Sequence, residues 1–244
     1  MKKGQISIFI ILGIIILISI LLLFIFSKKD ILNEKQKELN YLFDKDEFFQ
    51  KVNNCIDKST LEAVQIVGLK GGYFEAPENS LKTENLEISY ALIEGKINTV
   101  SLEEMSNQLK NYIVIALPIC FSENSDYNIN ELETPVVEVE INYENINFKI
   151  NFPITVNNFN NSVLFNDVYT KTLDIDLGNV YKTEKIIVSD LKNNPDFIQF
   201  TKLSRLDHEV EITPYKDGIF IYTIVSKTKE SQLNTYYYRF AVKP

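Results

Sequence analysis

An uninterrupted apolar segment from Ile6 to Phe26 is the strongest constraint on the fold of this 244-residue chain. The segment contains 21 uncharged residues, and its only non-apolar members are Ser7, Gly13 and Ser19. At about 1.5 Å rise per residue, a helix of this length spans roughly 31 Å, close to the ~30 Å hydrocarbon core of a bilayer. A core helix of a soluble protein would carry a polar stripe, and a cleavable secretory signal has a shorter apolar region that ends in small residues. The pattern therefore predicts a retained transmembrane helix.

Lysines lie on both sides of this segment, so the charge rule for membrane orientation does not decide which end is cytoplasmic. The lysines are Lys2, Lys3, Lys28, Lys29, Lys35 and Lys37. Two cysteines, a short basic N-terminal tail and one Asn160-Asn161-Ser162 sequon favour a cytoplasmic N-terminus and an extracytoplasmic body. In that orientation Asn160 is a candidate glycosylation site.

The residues before the apolar segment, Lys3-Gly4-Gln5-Ile6-Ser7, resemble the class III signal peptide of archaeal type IV pilin-like proteins. In that family a prepilin peptidase cuts after the glycine and leaves the apolar helix in place. The resemblance implies a leader of residues 1–4, a cut between Gly4 and Gln5, and prepilin peptidase and other cell-surface or filament proteins as partners. The family's glutamate at the fifth mature position is replaced here by Phe9. A plain signal anchor without processing is the alternative interpretation.

The composition of the remaining chain is that of an acidic globular protein. Residues 27–244 carry a net charge of −10, because Lys2 and Lys3 are the only charged residues before them. A body of this charge repels phosphate backbones and anionic lipid. Nucleic acid is therefore not expected as a partner, and the lipid bilayer is expected to be contacted through residues 6–26.

The first part of the body has a helical pattern. Residues 27–45 are rich in charge and predict a helical stalk, and residues 46–68 predict an amphipathic helix. Gly71 and Gly72 supply a C-terminal cap for that helix, since the spacing of a phosphate-binding loop is absent. This cysteine-bearing helix and its Gly71-Gly72-Tyr73 ending are also similar to uncharacterised archaeal membrane proteins that share the Lys-Gly-Gln start.

A second helix is predicted from the capping box at Ser101-Leu102-Glu103-Glu104, and Pro118 is expected to kink or end it just before Cys120. The two helices define a helix-rich subdomain over residues 46–124. A strand is also expected within residues 86–92.

Beyond residue 125 the apolar period changes to two, which predicts a mainly antiparallel β subdomain over residues 125–244. Residues 137–152 predict a hairpin with one buried face, and residues 177–192 predict a short helix. The segments HEVEIT and GIFIYTIVS predict a further hairpin, followed by TYYYRFAV. GIFIYTIV is apolar on both faces and is expected to be a central strand. The fold class is thus α+β: a transmembrane helix extending into a stalk, then two amphipathic helices and antiparallel sheet.

Residue patterns of catalytic or metal sites are not found in the sequence. His208 is the only histidine, and it is expected to be solvated at the start of a strand. A zinc site would require further histidine or cysteine ligands nearby, and no serine lies in a nucleophile elbow. No catalytic residue, metal ligand or cofactor is therefore predicted, and the protein is not expected to be an enzyme.

Cys55 and Cys120 are predicted to lie one on each body helix. In an extracytoplasmic body they are expected to form a disulfide, whereas in a cytoplasmic body they would be free buried thiols. Three functions remain open: a membrane-anchored structural or interaction protein, a subunit of a pilus-like filament, and an anchored hydrolase or ligand-binding protein.

Overall fold

The computed structural model of the chain describes residues 45–123, 129–158, 161–230 and 233–244. The chain divides into two compact units, residues 1–48 and residues 49–244. Of the first unit only residues 45–48 are described, and they are the first residues of a helix. The predicted leader, the apolar segment and all but the last residue of the predicted stalk lie outside the described residues. Of the helices that are described, none is both long enough and apolar enough to cross a membrane.

The described residues form an α+β fold, as predicted. The helices are α1 (Lys45–Leu69), α2 (Leu102–Glu123), α3 (Leu177–Asn193) and α4 (Phe200–Leu203). The strands are β1 (Leu81–Lys82), β2 (Glu87–Ile88), β3 (Tyr90–Ile93), β4 (Lys96–Ile97), β5 (Ile129–Leu132), β6 (Val136–Ile141), β7 (Ile146–Asn151), β8 (Ile154–Asn158), β9 (Asn161–Phe165), β10 (Val168–Leu173), β11 (Glu209–Pro214), β12 (Phe220–Lys227) and β13 (Thr235–Lys243).

The C-terminus of α1 is capped by glycine, as predicted. Gly71 and Gly72 both have positive φ angles, +73° and +93°, which cost glycine least among the amino acids. The Gly72 amide donates to the carbonyl of Val67 at 2.8 Å and closes the last turn. A Cβ atom at Gly71 would lie 2.3 Å from the hydroxyl of Ser89, so the next segment of chain packs directly on this turn.

Helix α2 begins where its capping box predicts, with the Glu104 amide donating to the Ser101 hydroxyl at 3.1 Å. Of the two expected effects of Pro118, a kink or an end of the helix, the end is wrong, because α2 continues through Pro118 to Glu123. A proline removes one helical hydrogen bond and crowds the preceding turn. Here the last turn is held instead by burial of Leu117 and Phe121 and by Cys120.

Cys55 on α1 and Cys120 on α2 are buried and lie at disulfide-bonding distance, with their Cα atoms 5.7 Å apart. This geometry agrees with the predicted disulfide. The bond closes a loop of 65 positions and joins the only two long helices among the residues before 124 that the structure describes.

The largest sheet has five strands in the order β11-β12-β13-β3-β4. The predicted β11–β12 hairpin is present, with Val210 opposite Ile224. The middle position is held by β13 and not by β12, and β13 pairs in parallel with β3. The expectation of GIFIYTIV as a central strand is confirmed, since β12 is an inner strand between β11 and β13. The apolar pattern of β12 fits a strand whose two faces are both covered, and it does not specify which place the strand takes in the sheet.

The predicted hairpin of β6 and β7 is present, with Val137 opposite Ile150 and Val139 opposite Phe148. β10 adds to β7 to complete a three-stranded antiparallel sheet. A second three-stranded sheet has the order β5-β8-β9, and β1 pairs with β2. The five-stranded sheet combines strands from before and after residue 125, which joins the two predicted subdomains in one sheet.

Reduction of the Cys55–Cys120 bond is expected to lower the free energy of unfolding by about 4 kcal/mol, because the unfolded chain regains the freedom of a 65-residue loop. The measurement is urea unfolding of the full-length protein in detergent, followed by circular dichroism, with and without reductant. The double variant Cys55→Ala/Cys120→Ala serves as control and should match the reduced wild type. Equal midpoints for the oxidised and reduced protein would contradict the expectation.

Candidate functional site

Four polar side chains, three of them buried and one partly buried, form a cluster beside the first turns of α3. Asp176 immediately precedes α3, Thr183 lies on it, His208 precedes β11 and Ser226 lies on β12. We call these four residues the His208 cluster. Helix α3 contacts β12, β3 and β4, so the cluster lies where the helix meets the five-stranded sheet.

The His208 cluster is a continuous chain of hydrogen bonds. The Nε2 atom of His208 lies 2.8 Å from Oδ2 of Asp176, and its Nδ1 atom lies 2.9 Å from the hydroxyl of Thr183. The Ser226 hydroxyl donates to the other oxygen of Asp176. The expectation of a solvated His208 is wrong: the residue is 8% exposed. The turn before β11 places the imidazole between α3 and the sheet, where its two nitrogens need partners.

The carboxylate of Asp176 does not cap the helix that follows it. Aspartate before a helix normally caps it, but this side chain makes no capping hydrogen bond and bonds His208 and Ser226 instead. Partial burial raises the pKa of Asp176, and the hydrogen bonds from His208 and Ser226 outweigh that effect, so the pKa is lowered overall. An ionised Asp176 accepts the Nε2–H of His208, and this bond fixes the ring so that Nδ1 lies beside the Thr183 hydroxyl.

A second buried polar group, Glu184, lies next to Thr183 on α3. Glu184 is 1% exposed, and the hydroxyl of Tyr238 on β13 donates to its Oε2 at 3.0 Å. Burial raises the pKa of Glu184 to about 8, against the opposing effects of the Tyr238 hydrogen bond and of Lys185. Glu184 is therefore mainly protonated and neutral at pH 7.

Tyr236 lies close to these groups on the same face of β13. Its hydroxyl is buried and finds no hydrogen-bond partner among the described residues. A Cβ atom at Gly68 would lie 2.4 Å from this hydroxyl, so the C-terminal turn of α1 covers it. Tyr236, Tyr238 and Glu184 thus join α1, α3 and the five-stranded sheet in one buried region.

The order hydroxyl–imidazole–carboxylate in the His208 cluster is that of a nucleophile, a general base and an orienting acid. Nucleophilic catalysis also requires that a substrate reach the hydroxyl. Thr183 is 5% exposed, and it does not line the groove of about 500 Å³ that borders His208. In this arrangement the cluster satisfies buried polar groups and fixes α3 on the sheet. No group of three candidate metal-ligating side chains occurs among the described residues.

The outer side of α3 lines a shallow groove of about 640 Å³. Tyr181, Lys182 and Lys185 form part of its wall, and Tyr143 contributes from the β6–β7 turn. Lys185 lies over the ring of Tyr181, and no described carboxylate is within ion-pair distance of Lys182 or Lys185. This groove is therefore locally basic and aromatic on an acidic protein, which suits an anionic group with an apolar part.

Of the site residues predicted from the sequence, Cys55 and Cys120 are described and lie together. Gly4, Gln5 and Asn160 lie outside the described residues. The sequence reasoning missed Asp176, Thr183, Glu184 and Ser226. Glu184 had a detectable signal, since it falls on the apolar face that Val180, Ile187 and Leu191 define at helical spacing.

Comparison of the chain with protein-family models, with curated proteins and with solved structures gives no significant match. Function is therefore inferred from the residues and contacts of the chain itself.

Replacing Asp176 with asparagine is expected to lower the free energy of unfolding by about 2 kcal/mol at pH 7, because hydrogen bonds to a charged acceptor are lost. Since the folded-state pKa lies below the ordinary value of 3.8, this contribution is complete above that pH and disappears as the pH falls through the folded-state pKa. Urea unfolding at pH 7 and at stepwise lower pH measures both effects. Asp174→Asn, at a neighbouring exposed carboxylate, is the control and should change stability little. A loss that persists unchanged at low pH would show that Asp176 acts through its shape and not through its charge.

Replacing Glu184 with glutamine should flatten the pH dependence of stability. The folded protein keeps a proton on Glu184 up to about pH 8, whereas the unfolded chain releases it near 4.5, so the free energy of unfolding of the wild type falls between these values as pH rises. Glutamine cannot ionise, and the variant lacks this decrease. Comparison of unfolding midpoints from pH 4.5 to 8 checks the expectation.

Tyr238→Phe provides a second test of the same pair, because it removes the hydrogen bond that lowers the pKa of Glu184. The decrease in stability should then extend to higher pH than in the wild type. Parallel profiles for wild type and Glu184→Gln would show that Glu184 is ionised in the folded protein at neutral pH.

Proposed function

We propose that the protein is a single-pass, membrane-anchored extracytoplasmic structural or interaction protein with a pilin-like N-terminus. Residues 6–26 have the length and composition of a transmembrane helix. They would hold the acidic α+β body at the membrane surface, with the N-terminus in the cytoplasm.

The observation that carries this proposal is the pairing of Cys55 with Cys120. The chain has two cysteines, and both are used in this contact between α1 and α2. Disulfides persist in oxidising compartments and are rare in reducing cytoplasm. A body stabilised in this way is suited to the outer side of the membrane.

An interaction function is favoured over catalysis by the accessibility of the polar groups. The hydroxyl of Thr183 is enclosed, whereas the groove along α3 is open and presents Lys182 and Lys185. Open basic and aromatic surfaces bind partners, and an enclosed nucleophile does not meet a substrate.

The pilin-like start favours processing without self-assembly as the principal filament subunit. Cleavage between Gly4 and Gln5 would leave residues 6–26 in the bilayer. In pilin-like filaments the fifth-position glutamate is thought to pair with the N-terminal ammonium of a neighbouring subunit. Phe9 cannot do so, and a buried ammonium without a partner costs several kcal/mol.

Fractionation and protease protection test the proposal on the full-length protein in cells. The protein should remain with membranes through carbonate washing, and protease added to intact cells should digest the body. Thiol labelling of the purified protein should need prior reduction. Protection in intact cells together with digestion in inverted vesicles would place the body in the cytoplasm and overturn the proposal. Sequencing of the purified N-terminus should begin at Gln5, and a start at Met1 or Lys2 would remove the pilin resemblance.

A further inference from the structure

Strand β11 lies at one edge of the five-stranded sheet. Its neighbour β12 occupies one side, and no other part of the described chain forms backbone hydrogen bonds with the outer side of β11. An edge strand leaves a row of N–H and C=O groups on its outer side that can pair with an added strand. The edge of β11 can therefore accept an extended peptide, which would join the sheet as a sixth strand.

A groove of about 500 Å³ lies beside the start of β11. Its apolar lining comes from α4, from the turn that follows α4 and from the strand itself: Phe200, Leu203, Leu206 and Val210. Phe200 is 68% exposed, and the other three are half-buried. An apolar groove next to free backbone groups is the arrangement in which strand addition gives affinity and a side-chain pocket gives specificity.

The charged residues at this edge are acidic. Asp207 and Glu209 line the groove, and Glu211 is exposed further along β11. Neither Lys202 nor Arg205 lines the groove, and Lys202 is already held in an ion pair. No described cation lies within ion-pair distance of Glu209 or Glu211. The charge at the edge therefore favours a basic partner.

The two faces of β11 differ in chemistry. Val210 lies opposite Ile224, Ile224 lies opposite Tyr238, and Tyr238 is bonded to a side chain of α3. Val210 therefore faces α3, and Glu209 and Glu211 face the other side of the sheet, because side chains alternate along a strand. A strand added to β11 alternates in the same way. Its residues beside Glu209 and Glu211 should be basic, and the residue between them should be apolar.

A second copy of this chain is poorly suited to the edge of β11. Two copies of β11 paired with each other would bring Glu209 and Glu211 of one copy close to the same residues of the other. Like charges on neighbouring strands destabilise their pairing, and charged edge strands commonly prevent self-association in this way. The acidic edge thus distinguishes a basic partner from a second copy.

We propose that β11 and the groove beside it bind an extended segment of another protein by strand addition. The segment alternates basic and apolar residues. Its basic residues contact Glu209 and Glu211, and the apolar residue between them enters the groove beside Val210 and Phe200. The proposal rests on the interaction function proposed above and specifies the class of partner, but it does not depend on the membrane anchor.

Fluorescence anisotropy with the full-length protein in nonionic detergent tests the proposal. The probe is a fluorescein-labelled peptide, Gly-Lys-Val-Lys-Val-Lys-Gly, and the comparison peptide is Gly-Glu-Val-Glu-Val-Glu-Gly. The basic peptide should bind roughly tenfold more tightly, because its lysines attract the two glutamates of β11 that the acidic peptide repels. Added salt should reduce the difference between the peptides, since it screens exposed charges.

Two N-methylated versions of the basic peptide distinguish strand addition from simple charge attraction. One version is methylated on the backbone amides of the valines, and the other on those of the lysines. Every second amide of an added strand donates to β11, so one version should lose binding and the other should keep it. Equal binding of the two versions would overturn strand addition.

Charge reversal on β11 locates the site. Glu211→Lys should weaken binding of the basic peptide, and Glu209→Lys/Glu211→Lys should reverse the preference so that the acidic peptide binds more tightly. A reversed preference cannot arise from unfolding, which would abolish binding of both peptides.

Glu140→Lys is the matched control. Glu140 is an exposed glutamate on the edge strand β6, within Glu138-Val139-Glu140-Ile141, which repeats the residues Glu209-Val210-Glu211-Ile212 of β11. On β6, however, Glu138 is already paired with Lys149. Glu140→Lys should therefore leave the affinity for both peptides unchanged. A loss in this variant but not in Glu211→Lys would place binding at β6 and overturn the proposal.

Failure of the folded, disulfide-bonded protein to bind the basic peptide would overturn the docking and leave the proposed membrane anchoring intact. Dimers of the peptide-free protein that the basic peptide dissociates would overturn it in favour of a second copy. Release of the protein from membranes by carbonate would instead refute the anchoring, and binding of the basic peptide to the released protein would still support the docking.

Discussion

The parallel pairing of β13 with β3 is the contact on which the rest of the structure depends. β13 is the last strand of the described chain, yet it occupies the middle of the largest sheet and carries β12 on one side and β3 on the other. The Ala241 amide donates to the carbonyl of Ser89, and the Ser89 hydroxyl donates to the carbonyl of Gly71 at the end of α1. One strand thus joins the first helix, the early strands and the C-terminal hairpin. The sheet is complete only when β3 and β13, which are far apart in the sequence, have paired. Its formation therefore depends on a non-local contact.

The face of β13 that meets α3 contains a notable concentration of polar atoms. Tyr236 and Tyr238 are buried there with Glu184, and the His208 cluster lies at the start of the same helix. Satisfied polar groups in a core fix the relative position of the elements, because a shifted helix would leave donors and acceptors without partners. Asp176 illustrates this, since its carboxylate gives up a local helix cap for bonds to His208 and Ser226. The hydroxyl–imidazole–carboxylate order is therefore best understood as structural in this protein.

The groove on the outer side of α3 differs in charge from the protein as a whole. The groove on the outer side of α3 is open and is lined by Lys182 and Lys185. The chain as a whole carries a net charge of −8, so this groove differs in sign from the protein's overall charge. The Cys55–Cys120 pair joins α1 to α2 and does not involve α3.

Local patterns in the sequence were sufficient to predict the three long helices of the described residues, the β6–β7 and β11–β12 hairpins and the capping of α1 and α2. They did not predict α4, β5, β8, β9 or β10. Each of the predicted features depends on side chains within a few turns or two adjacent strands, so periodicity and turn residues determine it. The order of the sheet was decided only by the tertiary structure, because every inner strand has the same apolar pattern on both faces and β3 and β13 are about 150 positions apart. The continuation of α2 through Pro118 likewise depends on burial of Phe121 and on Cys55, which lies on another helix. His208 and Asp176 are 32 positions apart, and the sequence around each residue does not indicate that the two are in contact. The sequence by itself therefore determined the long helices and two hairpins and placed one cysteine on each of two helices. The contact between those cysteines, the strand order and the environment of each buried polar side chain were determined by which distant elements came to lie side by side.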